Sequence, residues 1–210
     1  GPYYIQNMWM KDHDQHITTL LCPSHVNKKK KKKKVSIESI TSYPYAFDFR
    51  FKINTTEGNR FSIKIRKPDW AIVAYTSLPC KEENGYLVFT KSWRQQDELL
   101  ISFEAVVKKI NTAGDECYFQ YGPLVLCHQL ASTEVITKTY AIPGLKEFNC
   151  LPLGKTVFEY DGALPVQDTL HKNRFSIEMQ AVGKNQPEKI SIVPMAGTIL
   201  RQVTFKKKGP

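Results

Sequence analysis

Phe47-Asp-Phe-Arg-Phe-Lys-Ile-Asn54 alternates apolar residues at 47, 49, 51 and 53 with Asp48, Arg50, Lys52 and Asn54. Successive side chains of a strand point to opposite faces, so this period of two predicts a strand with one buried and one wet face. Past the turn-like Thr55-Thr-Glu-Gly-Asn59 the pattern resumes, with Phe61, Ile63 and Ile65 alternating with Ser62, Lys64 and Arg66. The two stretches read as a hairpin with matched apolar faces.

Outward from this pair, further strands are legible at 16–22, 35–41, 71–76, 86–91, 98–110, 117–128, 134–140, 155–160, 174–182, 188–193 and 198–205. No segment carries a sustained 3.6-residue apolar stripe, so helices are expected to be few and short. Many short strands punctuated by turns predict an all-β chain built as an antiparallel β-sandwich. With 210 residues, 41% of them apolar, the chain suffices for one continuous sandwich or two in tandem. Ala141 to Lys155 holds Pro143, Gly144, Pro152 and Gly154 and reads as an irregular crossing loop. It divides residues 3–140 from 141–205, with the turn cluster Asn111-Thr-Ala-Gly-Asp115 as the competing boundary. Gly122-Pro123 interrupts an apolar run and is expected to turn one strand into a new direction, as a sandwich corner requires.

The basic charge is concentrated in two runs. Residues 28–34 are seven lysines and 206–208 are three, and removing them takes the formal net charge from +10 to zero. Nucleic-acid binders spread Lys and Arg over a folded face among aromatic and small polar residues. Blocks of like charge repel themselves, so 28–34 reads as a solvated loop and no nucleic-acid partner is expected. Residues 1–2 and 206–210 resemble appended ends and are kept out of the fold reading. No apolar stretch approaches the roughly 18–20 residues of a membrane span, and no membrane partner is expected.

The five cysteines, Cys22, Cys80, Cys117, Cys127 and Cys150, are odd in number, dispersed and without a C-x-x-C pair. That argues against a zinc site and against a dense disulfide framework. Cys22 and Cys127 end apolar runs and are expected as buried thiols, whereas Cys80, between Pro79 and Lys81, reads as exposed. The pattern leaves periplasmic, secreted and cytoplasmic bacterial settings open. His13 and His16 form the one local cluster of potential metal ligands, beside Asp12 and Asp14. Three residues apart on a strand they face opposite sides, so they read as incidental surface histidines near a hairpin turn.

Five segments taken in order carry a family resemblance: Tyr43-Pro-Tyr-Ala-Phe-Asp-Phe-Arg-Phe51; Phe61-Ser-Ile-Lys-Ile-Arg-Lys-Pro-Asp-Trp-Ala71; Gly85-Tyr-Leu-Val-Phe-Thr-Lys-Ser-Trp93 with Asp97-Glu-Leu99; Tyr121-Gly-Pro-Leu-Val-Leu126; and Val193-Pro-Met-Ala-Gly-Thr-Ile-Leu-Arg201. They resemble the β-sandwich region that follows the catalytic (α/α) barrel in glycoside hydrolase family 127, the β-L-arabinofuranosidase-like proteins. The resemblance covers most of residues 16–205. It implies retaining glycosidases whose zinc-held cysteine thiolate, from an adjacent Cys-Cys pair in the barrel, is the nucleophile, with a glutamate as acid and base. No adjacent cysteines occur here, and Cys22 matches a strand downstream of that pair. The resemblance therefore implies no catalytic residue, no metal ligand and no cofactor in this chain, with zinc belonging to the barrel.

A glycosidase holds two carboxyls, or a nucleophile and a carboxyl, about 5 to 9.5 Å apart across one bond. Asp69, Asp97, Glu98, Asp115, Glu116 and Asp161 are the candidate acids, and their polar turn contexts suit capping better than catalysis. Three functions are weighed. The first is a non-catalytic accessory segment that packs on the barrel of an enzyme acting on arabinofuranoside-containing plant polysaccharide or glycoprotein glycans. The second is a carbohydrate-binding module, with Trp70, Trp93 and Tyr121 as sugar-contact candidates, because an aromatic face suits the axial C–H groups of a sugar ring. The third is a polyanion binder working through the lysine runs. The first accounts for the most, and its partner is the catalytic barrel.

Overall fold

The computed structural model describes all residues except 1, 14, 19, 31, 32, 57, 155, 156, 209 and 210, and only the backbone of 2, 12, 15, 28–30 and 33. Strand makes up 59% of the chain and helix 2%, so the all-β expectation holds. Two compact units, Gly1–Ala105 and Val106–Pro210, divide the chain. The division falls near the competing turn cluster at 111–115 and not in 141–155.

The first unit holds α1 (Pro2–Gln6), β1 (Trp9–Asp12), β2 (Gln15–Thr18), β3 (Ser24–Lys30), β4 (Lys33–Ile40), β5 (Asp48–Thr55), β6 (Asn59–Arg66), β7 (Ile72–Thr76), β8 (Lys81–Glu83), β9 (Tyr86–Trp93) and β10 (Asp97–Glu104). One five-stranded sheet runs β1, β2, β6, β9, β8 and the other runs β3, β4, β5, β10, β7. All pairings are antiparallel except β2 with β6. Their inner faces form one core. Ile37, Phe49, Phe51, Ile53, Leu99, Ile101 and Phe103 come from one sheet, and Trp9, Phe61, Ile63, Ile65, Leu87, Phe89 and Trp93 from the other, all buried. Trp9 meets Phe51 edge-on across the gap, with ring centroids 6.2 Å apart. Each such side chain contributes about 1.5–3 kcal/mol by leaving water.

This arrangement corrects the expected hairpin of residues 47–66. The two strands bury the faces their alternation predicts, but they lie in different sheets, β5 between β4 and β10 and β6 between β2 and β9. Alternation fixes which face is buried and does not choose the hydrogen-bonding neighbour. Both edges of β5 are already paired, so β6 finds its partners in the opposite sheet.

The lysine run also differs from its reading as a loop. Strands β3 and β4 form a hairpin whose ladder continues into it, pairing Lys29 with Lys34 and Lys30 with Lys33. Val35 and Ile37, buried nearer the core, anchor the strand that carries these residues outward, and Lys34 is exposed. Residues 31 and 32 lie outside the described set.

The second unit contains β11 (Val107–Asn111), β12 (Glu116–Tyr121), β13 (Leu124–Gln129), β14 (Ser132–Thr139), β15 (Lys146–Pro152), β16 (Phe158–Tyr160), β17 (Val166–Gln167), β18 (Phe175–Ala181), β19 (Pro187–Pro194), β20 (Arg201–Gln202) and β21 (Phe205–Lys207). Here the sheet closes on itself. Pairings run from β12 through β21, β16, β18, β19 and β13 back to β12. Phe119, Phe175, Met179, Ile192 and Phe205 fill the interior.

Three sequence readings change in this unit. The run 98–110 is two strands separated at Ala105 and Val106, where the units divide. Gly122-Pro123 is the tip of a tight hairpin, with Tyr121 paired to Leu124, and not a corner between sheets; a positive φ of 56° at Gly122 makes the reversal possible. The supposed crossing loop after Ala141 contains the tip and second strand of the β14–β15 hairpin. Pro143 and Gly144 lie in its turn and Pro152 ends its strand, places where a missing donor or a positive φ is tolerated. Among the described residues, no helix is long and apolar enough to cross a membrane.

Candidate functional site

A groove of about 1020 Å³ opens in the first unit where β6 ends and the segment Arg66-Lys-Pro-Asp-Trp70 begins. Pro68 has no N–H to continue a ladder, and its carbonyl accepts from Ala71 N at 2.9 Å, closing a turn that sets Trp70 over the end of the core. The indole packs on Phe47 at 4.8 Å and meets Phe103 edge-on at 6.3 Å. Tyr43 lies nearly parallel to it, 6.5 Å between centroids and 14° between planes. The Thr41 hydroxyl fixes the Tyr43 loop by accepting from Tyr43 N at 3.1 Å and donating to the Asp48 carbonyl at 2.7 Å.

Polar groups line the same groove. Lys67 donates to both Glu82 carboxylate oxygens, at 2.7 and 2.9 Å, which ties the segment to β8. The β8–β9 turn, with positive φ at Asn84 and Gly85, brings Asn84 and Tyr86 to the groove. Arg66 and Asp69 are exposed, and neither side chain makes a hydrogen bond or ion pair to another described residue. Burial pushes the Tyr43 phenol above its ordinary value, and the nearby Arg66 guanidinium partly opposes that rise.

The structure separates the three aromatic candidates. Trp70 is half-buried and lines the groove. Trp93 is fully buried, its indole N–H donating to the Phe61 carbonyl at 3.0 Å, and is a core residue with no face for a sugar. Tyr121 belongs to the second unit, where its ring meets Phe175 at 5.0 Å and its hydroxyl accepts from Gln167 Nε2 at 3.3 Å. No common site contains all three. Tyr43, Arg66 and Tyr86 were not singled out for the groove, because residues far apart in sequence converge there only after the strands pair.

The remaining candidate chemistry disperses in the same way. Asp97 accepts from Arg94 N at 2.9 Å and pairs with Lys91 at 3.1 Å, as a turn-capping carboxylate does. His13, at φ 46°, marks the β1–β2 turn, while His16, expected on the surface, is buried with its ring 5.0 Å from Phe61. Its strand position faces the core, which local polarity of the sequence did not reveal. All five cysteines are free; Cys117 and Cys127 are buried, whereas Cys22 is only half-buried, as is Cys80. Burial raises the Cys22 thiol above its ordinary value, the opposite of an activated thiolate. Among the described residues no three His, Cys, Asp or Glu side chains converge as metal ligands.

Residues 16–105, nearly the whole first unit, match the family model described as β-L-arabinofuranosidase, GH127 middle domain. These residues resemble a GH127 middle domain. The chain as a whole also resembles solved glycoside hydrolases. A GH127 β-L-arabinofuranosidase from Geobacillus stearothermophilus T6 shares 16% identity over 97% of this chain and 35% of its own, with a TM-score of 0.61. A GH127 β-arabinofuranosidase shares 16% over 96% and 36%, TM-score 0.62. A third structure, described as a glycoside hydrolase, shares 15% over 96% and 37%, TM-score 0.63. At these identities the likeness shows a shared fold. The chain spans 35% to 37% of the length of these structures. No curated protein matches it. The family match thus supports an accessory domain of a glycoside hydrolase over the first unit.

Proposed function

We propose that this chain is a non-catalytic accessory segment of a glycoside hydrolase acting on arabinofuranoside-containing glycans, and that it packs against the catalytic barrel and shapes the substrate entrance. The GH127 middle-domain match carries the reading. The dispersed cysteines support it, and burial pushes the Cys22 thiol up, away from an activated thiolate. Zinc and the nucleophile are assigned to the barrel.

The β14–β15 hairpin supports a packing role. Neither of its faces is buried, although Ile136 is registered with Phe148 and Ile142 and Leu145 sit at its tip. Ile136 is 55% exposed and Ile142 64%. Grouped apolar side chains on an arm mark a surface that is covered in an assembly. In the parent enzyme, Ile136→Asp with Phe148→Ser is expected to lower the melting temperature of the barrel and to reduce kcat/KM at least several-fold. Unchanged melting and kinetics would refute packing through this arm.

A further inference from the structure

The groove beside Trp70 has the features of a ligand site that the accessory role does not require. Two nearly parallel aromatic rings, Tyr43 and Trp70, line it together with an Arg66 guanidinium and an Asp69 carboxylate that make no hydrogen bond or ion pair to another described residue. Lys67, the other cation lining the groove, is already neutralised by Glu82. We infer that this groove binds one end or one internal segment of a neutral oligosaccharide, a sugar ring stacking on Trp70 while its hydroxyls bridge Arg66 and Asp69.

Three observations select a neutral sugar. A sugar ring presents a C–H face that an aromatic surface desolvates favourably, and the hydroxyls at its edge both donate and accept. A guanidinium has five donors and no acceptor, and an ionised carboxylate only accepts, so a vicinal diol satisfies both groups at once. A phosphate or uronate would gain from Arg66 but meet the like charge of Asp69 in the same groove. The volume, about 1020 Å³, lies at the upper end of the roughly 300–1,000 Å³ typical of small-molecule sites, and leaves room for more than one sugar residue. This proposal goes beyond the accessory reading and stands whichever catalytic domain the chain serves.

Trp70 also supplies the signal. Of the three tryptophans, Trp9 and Trp93 are buried in the core, so Trp70 alone faces a ligand in the groove. The test titrates the 210-residue chain with an arabino-oligosaccharide, a xylo-oligosaccharide and, as the acidic comparator, an oligogalacturonate. Binding is read by tryptophan fluorescence and by calorimetry. A neutral oligosaccharide is expected to give a saturable change, weakened about tenfold or more in Arg66→Ala and in Asp69→Asn, since each removes a hydrogen bond to a charged group. Both variants alter exposed, unpaired side chains, so their melting temperatures should match the wild type. Trp70→Phe should lose the fluorescence change and keep calorimetric binding. Absence of saturable binding by both neutral sugars, wild-type affinity in both variants, or tighter binding of the acidic oligomer would each overturn the proposal. So would loss of binding in the parent enzyme, which would show the groove to be covered by protein. Turnover by the chain alone would defeat the accessory reading and leave this result untouched.

Discussion

Trp93 and Trp70 are both exposed-aromatic candidates by sequence, and only their backbone positions distinguish them. Trp93 ends β9 on the inward face, wholly excluded from water and bonded through its indole N–H to the Phe61 carbonyl. Trp93→Ala is expected to destabilise the first unit by about 3–5 kcal/mol in urea unfolding, the cost of a large buried ring. A loss below about 1 kcal/mol would contradict the core assignment. Cys22 makes a prediction of a different kind. Burial raises its thiol in the folded state, so the neutral form is the one the fold favours. Its contribution to stability is therefore full below the unfolded thiol value, about 8.5, and falls as pH rises past it toward the higher folded value. The wild type should lose more stability between pH 7 and pH 10 than Cys22→Ala does. An equal loss in both would contradict the assignment. Of the groove, the sequence made Trp70 and Asp69 legible as candidates. The convergence of Tyr43, Arg66 and Tyr86 on them was not legible, because it depends on tertiary pairing.

Strand identity and inward face could be read from period two almost throughout the first unit, as β5 and β6 show by burying every predicted apolar position. Strand partners could not, because hydrogen-bonding edges leave no mark on alternation. Strands β4 and β14 were legible, but their hairpin partners β3 and β15 were hidden for another reason: their sequences run into lysines or into exposed polar and proline residues. The backbone ladder in the first of these hairpins registers lysine with lysine, Lys29 with Lys34 and Lys30 with Lys33. Directly opposed like charges destabilise a strand pair. Lys29→Glu should therefore stabilise the first unit by about 0.5 kcal/mol at low salt, and the gain should largely vanish at 1 M salt, where screening is nearly complete. A destabilisation at low salt would show that the hairpin register is wrong. Shortening the run should also abolish retention on heparin, which the lysines alone are expected to cause.

Each unit has its own core, a two-sheet sandwich in residues 1–105 and a closed sheet in 106–210, so the molecule is not expected to unfold as one two-state body. Phe175→Ala, which empties the centre of the second core, should lower the transition of that unit by about 3–5 kcal/mol and leave the first unit's transition in place. A common shift of both transitions would contradict independent cores. The proposed role of the whole chain is to serve catalysis without performing it. The most direct measurement is zinc content together with release of a chromogenic aryl arabinofuranoside, compared between the purified 210-residue chain and a longer chain that restores the catalytic barrel. No stoichiometric zinc and no turnover above background are expected for the chain alone, and both are expected for the longer chain. Turnover by the 210 residues that disappears on mutating one of their own cysteines or acidic residues would contradict it.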